Sequence, residues 1–210
     1  MKKSLFITFE GLEGSGKSVQ VGLLAAKLRE EGHDIVVTRE PGGTRVGEQI
    51  RTITHNPQNV DLIATTEAYL MAAARAQHVR ELIRPALEAG KIVICDRFVD
   101  SSIAYQGYGR EMGREAIESL NTLALDSVQP DITILLDITV EMGTNRRLHT
   151  DKMDRLDLQS TDFYERVKKG YTEIAENAPE RIKIVDASKS PEEVQQEIWN
   201  LMTVFFESRK

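Results

Sequence analysis

Gly11-Leu12-Glu13-Gly14-Ser15-Gly16-Lys17-Ser18 fits the pattern G-x-x-x-x-G-K-[ST] at every fixed position. The apolar run Leu5–Phe9 precedes it and reads as a strand. Lys17–Glu31 follows and reads as a helix, with Val21, Leu24, Ala25 and Leu28 on one face and Gly32 closing it. A strand, a glycine-rich turn and a helix are the context that gives this pattern meaning. The glycines let the backbone curl so that successive N–H groups point at a polyphosphate. The helix N-terminus adds partial positive charge at the same place. Gly11, Glu13, Gly14, Ser15, Gly16, Lys17 and Ser18 are therefore expected to form a nucleoside triphosphate cradle. Lys17 reaches the β- and γ-phosphates there, and the Ser18 hydroxyl ligates Mg²⁺.

Outward from this loop, apolar runs alternate with helix-period segments. Ile35–Thr38, Lys91–Cys95, Ile132–Asp137 and Ile182–Val185 read as four further strands. Helices are expected at about Gly47–Thr54 and Leu62–Ala89, the second kinked or broken near Pro85. A last helix is expected from Pro191, capped by Ser190, to Phe206. The alternation implies right-handed crossovers and an α/β fold of the P-loop NTPase type, with a doubly wound five-stranded parallel sheet and helices on both faces. Residues 1–210 read as a single domain, and the polar segment at about 146–160 reads as a mobile surface segment between two helices.

Composition narrows the function. The chain has 210 residues, 40% of them hydrophobic and 29% charged, enough to bury a core without disulfides. Its net charge of −6 argues against coating nucleic acid, which needs a basic face. Cys95, the one cysteine, lies in the apolar run Ile92-Val93-Ile94-Cys95 and reads as a buried strand residue. No apolar run approaches membrane-spanning length, and the stretch Leu5-Phe6-Ile7 is too short for a signal peptide before Glu10 interrupts it. A cytoplasmic location is the expectation. No Asn-Lys-x-Asp guanine reader is present, and a motor-type ATPase needs more chain, so a small kinase fits best. Open α/β sheets bind ligands at the carboxyl ends of their strands. Asp96 and Asp137 both end strands, and either is placed to hold Mg²⁺.

Five segments carry a closer likeness. Asp96-Arg97-Phe98, Ser101 and Ala104-Tyr105-Gln106-Gly107 match D-R-[YF]-x-x-S-x-x-A-Y-Q-G. Thr38-Arg39-Glu40-Pro41-Gly42-Gly43, Ala74-Arg75-Ala76-Gln77-His78 and the P-loop with its leading Phe9-Glu10 agree in order and spacing. Late in the chain, Asp154-Arg155-Leu156-Asp157 looks like the D-R-[IL]-[ED] of a family lid, which would here be the segment at about 146–160. Together they resemble the thymidylate kinase family over nearly the whole length. The resemblance implies transfer of the γ-phosphoryl group of ATP to dTMP, with Mg²⁺, in a homodimer; the rival is a kinase for another pyrimidine or for deoxynucleoside monophosphates broadly. It implies that Arg97 and Arg51 bind the acceptor phosphate and that Glu13 accepts from the 3′-hydroxyl. Glu40 joins the dTMP site. Arg75, Ser102 and Gln106 read the thymine edge, and Tyr105 packs beside the sugar. Gly14-Ser15 stands where one branch of the family has a P-loop arginine, so the chain is similar to the branch that supplies this charge from the lid. Arg147 and Arg155 are the expected catalytic arginines beside Lys17 and Arg97, and Arg146 is a weaker candidate near the adenine. The chain departs from the pattern at Met71, where Phe is usual, and in the shortened Asp157-Leu158-Gln159.

Overall fold

The computed structural model describes residues 4–148 and 154–209. Five parallel strands, β1 (Leu5–Glu10), β2 (Ile35–Arg39), β3 (Ile92–Asp96), β4 (Ile132–Asp137) and β5 (Ile182–Asp186), stand in the order β2-β3-β1-β4-β5. The central strands β1, β3 and β4 are buried almost throughout, which is why they read as unbroken apolar runs. The edge strands β2 and β5 are only partly covered.

The helices are α1 (Lys17–Glu30), α2 (Arg45–His55), α3 (Ala64–His78), α4 (Arg84–Glu88), α5 (Val99–Ser102), α6 (Arg114–Leu125), α7 (Val140–Leu148), α8 (Thr161–Asn177) and α9 (Pro191–Glu207). Helix α1 packs against β1, β2, β3 and α9, while α8 packs on β5, α5 and the segment after α5. Phe6, Ile7, Phe9, Leu24, Ile94, Ile134, Val167 and Ile198 are among the side chains of the shared core.

The long helix expected at Leu62–Ala89 does not break at Pro85. A wider π turn, Val79–Ile83, joins α3 to α4, and the Arg84 N–H donates to the Val79 carbonyl. Proline lacks the N–H that would reach back to residue 81, and its ring crowds that carbonyl. Widening the turn accommodates both facts without ending the helix. A second π segment, Ile103–Gly109, extends α5 through the Ala104-Tyr105-Gln106-Gly107 motif.

Helices α5 and α6 add to the elements expected from the sequence, and α7 and α8 are the two helices on either side of the expected lid. Helix α6 starts at Gly113, which offers no side-chain cap, so its start carries no signal. Helix α8 does carry one, since the Ser160 side chain accepts from the Phe163 N–H. The expected lid falls partly outside the described residues, at 149–153. Arg146, Arg147 and Leu148 are the end of α7, and residues 154–159 form a tight turn with Arg155 and Leu156 buried.

Candidate active site

The P-loop leaves β1 as expected. Gly14 has φ 77°, and a Cβ there would lie 2.6 Å from the Gly143 carbonyl oxygen. A side chain is excluded by both conformation and space. Lys17 is folded back on its own loop, its Nζ donating to the carbonyls of Gly11 (3.1 Å) and Leu12 (2.8 Å) and to Ser15 Oγ (3.3 Å). Burial, and then the neighbouring Arg97, lower its pKa to about 8. The Ser18 hydroxyl donates to Asp96 Oδ2 at 2.7 Å, which brings together a hydroxyl and a carboxylate, the hard oxygen donors that Mg²⁺ prefers. Asp137, the rival, is half exposed and paired with Lys168 at 3.3 Å.

Arg97 follows β3 in the left-handed region, at φ 70°. That conformation is unfavourable for a residue with a Cβ and persists only where surroundings enforce it. The Arg97 N–H donates to the Phe9 carbonyl (2.9 Å), and its guanidinium donates to Gly11 O, Ser101 Oγ, Tyr171 Oη, Tyr105 Oη and Glu13 Oε1. From behind, the Glu10 carboxylate accepts from the N–H groups of Phe98 (2.8 Å) and Ser101 (3.2 Å), fixing the turn into α5. Burial opposes ionisation of Glu13, but Arg97 at 2.7 Å, with Lys17 and Arg147, brings its pKa down to about 2.

Across the cleft, the loop after β2 is clamped by α3. Glu40 Oε2 accepts from Arg75 Nε (2.8 Å) and stands in ion-pair contact with Arg75 Nη2 (2.7 Å), while Oε1 accepts from His78 Nδ1 (3.0 Å). His78 Nε2 lies 2.7 Å from Thr38 Oγ1. Arg75 also donates to Ser102 Oγ (3.0 Å), to the Phe98 carbonyl (3.1 Å) and to Asn121 Oδ1. Its guanidinium thus makes four hydrogen bonds within the protein. Arg51 donates to the Pro41 carbonyl at 3.1 Å. Gln106 donates from Nε2 to Glu67 Oε1 at 2.7 Å, while its Oε1 has no partner among the described residues. Because a carboxylate only accepts, this contact fixes which end of the amide is the free oxygen.

The turn at 154–159 is built by its own acids. Asp154 Oδ1 accepts from the N–H groups of Leu156 (2.8 Å) and Asp157 (3.3 Å), and Asp157 Oδ2 accepts from the Asp154 N–H at 2.7 Å. Asp157 also takes Arg147, with Nε at 2.8 Å, so the turn carries an arginine of α7. Arg146 donates to the carbonyls of Gly14 (3.3 Å) and Ala187 (3.2 Å). Arg155 is buried, its guanidinium on Glu67 and the Thr54 carbonyl.

One cleft of about 380 Å³ gathers most of the residues singled out in the sequence. Glu13, Gly14, Gly16, Lys17, Ser18, Glu40, Arg51, Met71, Asp96, Arg97, Tyr105, Gln106 and Arg147 line it, and Gly11 and Ser15 complete the loop behind. Arg75, Ser102 and Arg155 are not in its lining. His55 and Asp154 line it without having been expected. Burial, and then Arg51, push the His55 pKa down to about 3. Nothing in the local sequence around His55 marks it, since its place depends on how α2 packs on α3.

A triphosphate cradle facing arginines and a base-sized pocket across one cleft defines a P-loop nucleotide kinase. The thymidylate kinase family model matches residues 9–198. Among curated relatives, the thymidylate kinase of Exiguobacterium sibiricum is 47% identical over 98% of this chain and 97% of its own. That of Pelotomaculum thermopropionicum is 49% identical over 90% and 88%. The crystal structure of thymidylate kinase from Ehrlichia chaffeensis superposes with a TM-score of 0.78 at 36% identity, covering 96% of this chain and 99% of that one. The chain belongs to the thymidylate kinase family.

Proposed function

We propose that the chain transfers the γ-phosphoryl group of ATP to dTMP, giving ADP and dTDP, within this single cleft. The observation that carries the acceptor assignment is Gln106. Its amide nitrogen is held by Glu67 and its oxygen lacks a partner, in a side chain on the cleft wall. A buried acceptor without a donor is costly, and a base that brings a donor removes the cost. Thymine carries N3–H, whereas cytosine has a lone pair at N3. Met71 supplies an apolar wall to the same cleft.

In this reading Arg97 and Arg51 receive the dTMP phosphate, Glu13 accepts from the 3′-hydroxyl and Tyr105 packs on the sugar. Glu40, Arg75 and Ser102 form the wall behind the base, with Arg75 acting through the groups it holds. Lys17 leaves its loop carbonyls for the β- and γ-phosphates. The dTMP phosphate is largely a dianion at neutral pH and is already a nucleophile, so positioning and charge neutralisation suffice. Arg147 enters the cleft from the lid side as the mobile charge, while Arg155 anchors the lid's far end. The segment at 146–160 is the lid of one domain, and closure would keep water from the γ-phosphate. Ser18 and Asp96 would hold Mg²⁺, which neutralises phosphate charge when bound.

The reading extends to a homodimer in the cytoplasm. Tyr69 on α3 and Leu123 on α6 are large apolar side chains left exposed, and covering them between copies would be favourable. Among the described residues no helix is long and apolar enough to cross a membrane. The deciding assay measures ADP release with ATP and a panel of dTMP, dUMP, dCMP, dAMP, UMP and CMP. The highest kcat/KM is expected for dTMP; a higher value for a cytosine or purine nucleotide overturns the assignment.

A further inference from the structure

Glu67 lies in the first turn of α3, almost fully buried, outside the lining of the cleft. Its two carboxylate oxygens collect donors from three places in the chain. Gln106 Nε2 donates at 2.7 Å, Arg110 donates from Nη2 at 3.1 Å, and Arg155 Nη2 makes the third contact. Burial disfavours its charge, but Arg110, Arg155 and Gln106 keep the carboxyl below its usual range. Arg110 also donates to Gln159 Oε1 at 2.6 Å, and Gln159 Nε2 returns to the Arg155 carbonyl at 3.2 Å. Both ends of the segment 155–159 are thereby fastened to the one carboxylate.

Each neighbour of Glu67 leads to a different part of the reaction. Gln106 is the side chain on the cleft wall whose oxygen awaits a donor. Arg155 belongs to the turn in which Asp157 holds Arg147, and Arg147 lines the cleft near the P-loop. Charge-assisted contacts therefore run from Gln106 through Glu67 to Arg155, the backbone of the tight turn carries the path on to Asp157, and a further ion pair reaches Arg147. Such bonds are short and directional, so a shift at one end is passed on rather than absorbed. We propose that Glu67 is a positioning residue that couples recognition of the acceptor base to the placement of Arg147 at the phosphates. The proposal rests on the base-reading role given to Gln106. It makes acceptor specificity act on kcat as well as on binding, because a base that fails to engage Gln106 leaves the arginine misplaced.

The test is a double-mutant cycle on the full chain with Glu67→Gln and Gln106→Leu, reading kcat, KM for ATP and the dTMP dissociation constant by calorimetry. Glu67→Gln is expected to lower kcat by about tenfold or more, with KM for ATP within about threefold of wild type. Gln106→Leu should weaken dTMP binding and lower kcat in the wild-type background, but lower kcat no further once Glu67 is Gln. If the kcat factors of the two substitutions multiply, the coupling is overturned while base reading by Gln106 stands. If Gln106→Leu leaves dTMP affinity unchanged, the base-reading assignment itself falls. Should Glu67→Gln lose its folded circular dichroism signature, Arg155→Met takes its place in the same cycle, since it leaves Glu67 paired with Arg110. Multiplying kcat factors there overturn the proposal equally.

Discussion

Arg75, expected to read the base, sits behind the cleft wall with its guanidinium held by the protein. The guanidinium is 1% exposed and donates to Glu40, Ser102, Asn121 and Phe98. Its removal leaves the buried Glu40 carboxylate with His78 alone. Arg75→Ala is therefore expected to cost about 3–5 kcal/mol of stability, measured by urea denaturation. A loss below about 1 kcal/mol would show that Glu40 finds water or another partner. Lys17 is the opposite case, a buried cation held only by neutral oxygens and free to turn to a phosphate. Lys17→Ala should reduce kcat by about a thousandfold, because charge is lost where it develops in transfer. Retention of a tenth of the wild-type turnover would remove Lys17 from the mechanism. His55 makes a pH prediction. Its folded pKa is about 3 against 6.5 for the free side chain. Between those values the unfolded chain binds the extra proton, so stability falls as pH is lowered from 6.5 toward 3 and is unaffected by this group above that window. Wild type should lose more of its urea midpoint than His55→Gln between pH 7 and pH 5; parallel curves would show that His55 titrates normally.

At the level of elements, the start signals in the sequence correspond to real caps. Ser190 accepts from the Glu193 N–H at 3.3 Å, and Glu193 Oε2 accepts from the Ser190 N–H at 3.0 Å, closing a capping box at the head of α9. Ser190→Ala should cost about 1 kcal/mol, since it removes the partner of an N–H that the helix cannot satisfy. No change in the denaturation midpoint would mean that water replaces the cap without loss. Pro85 marks the place of an irregularity but not its form. A helix can either end before a proline or widen around it, and the packing of α4 on β3 decides for widening. The motif Asp154-Arg155-Leu156-Asp157 likewise has a local logic, as its two aspartates cap one another's N–H groups. The direction in which Arg155 then points is not local.

For the whole molecule, the exposed Tyr69 and Leu123 lead to an expectation about assembly. Sedimentation velocity at micromolar concentration should give a dimer of the 23.6 kDa chain, and Tyr69→Glu should shift the population toward monomer. A monomer for the wild type at that concentration would leave those side chains without the proposed role. The five parallel strands, the P-loop between β1 and α1, and family membership are all legible in the sequence, because fixed spacings and apolar periods are local properties of a chain. Pairings between distant segments are not. Asp96 and Asp137 end strands in the same way, and only the approach of Ser18 to Asp96, 78 residues away, separates them. Arg155 and Glu67 lie 88 residues apart, and Glu67 sits in a helix whose pattern says only that it is an acidic first-turn residue. By itself the sequence determined the nucleotide cradle, the parallel sheet and the kinase family, since each follows from residues close together in the chain. The tertiary structure alone decided which guanidinium groups line the cleft and which are buried inside its wall. A buried donor takes whichever acceptor packing brings within about 3 Å, and spacing along the chain does not fix that distance.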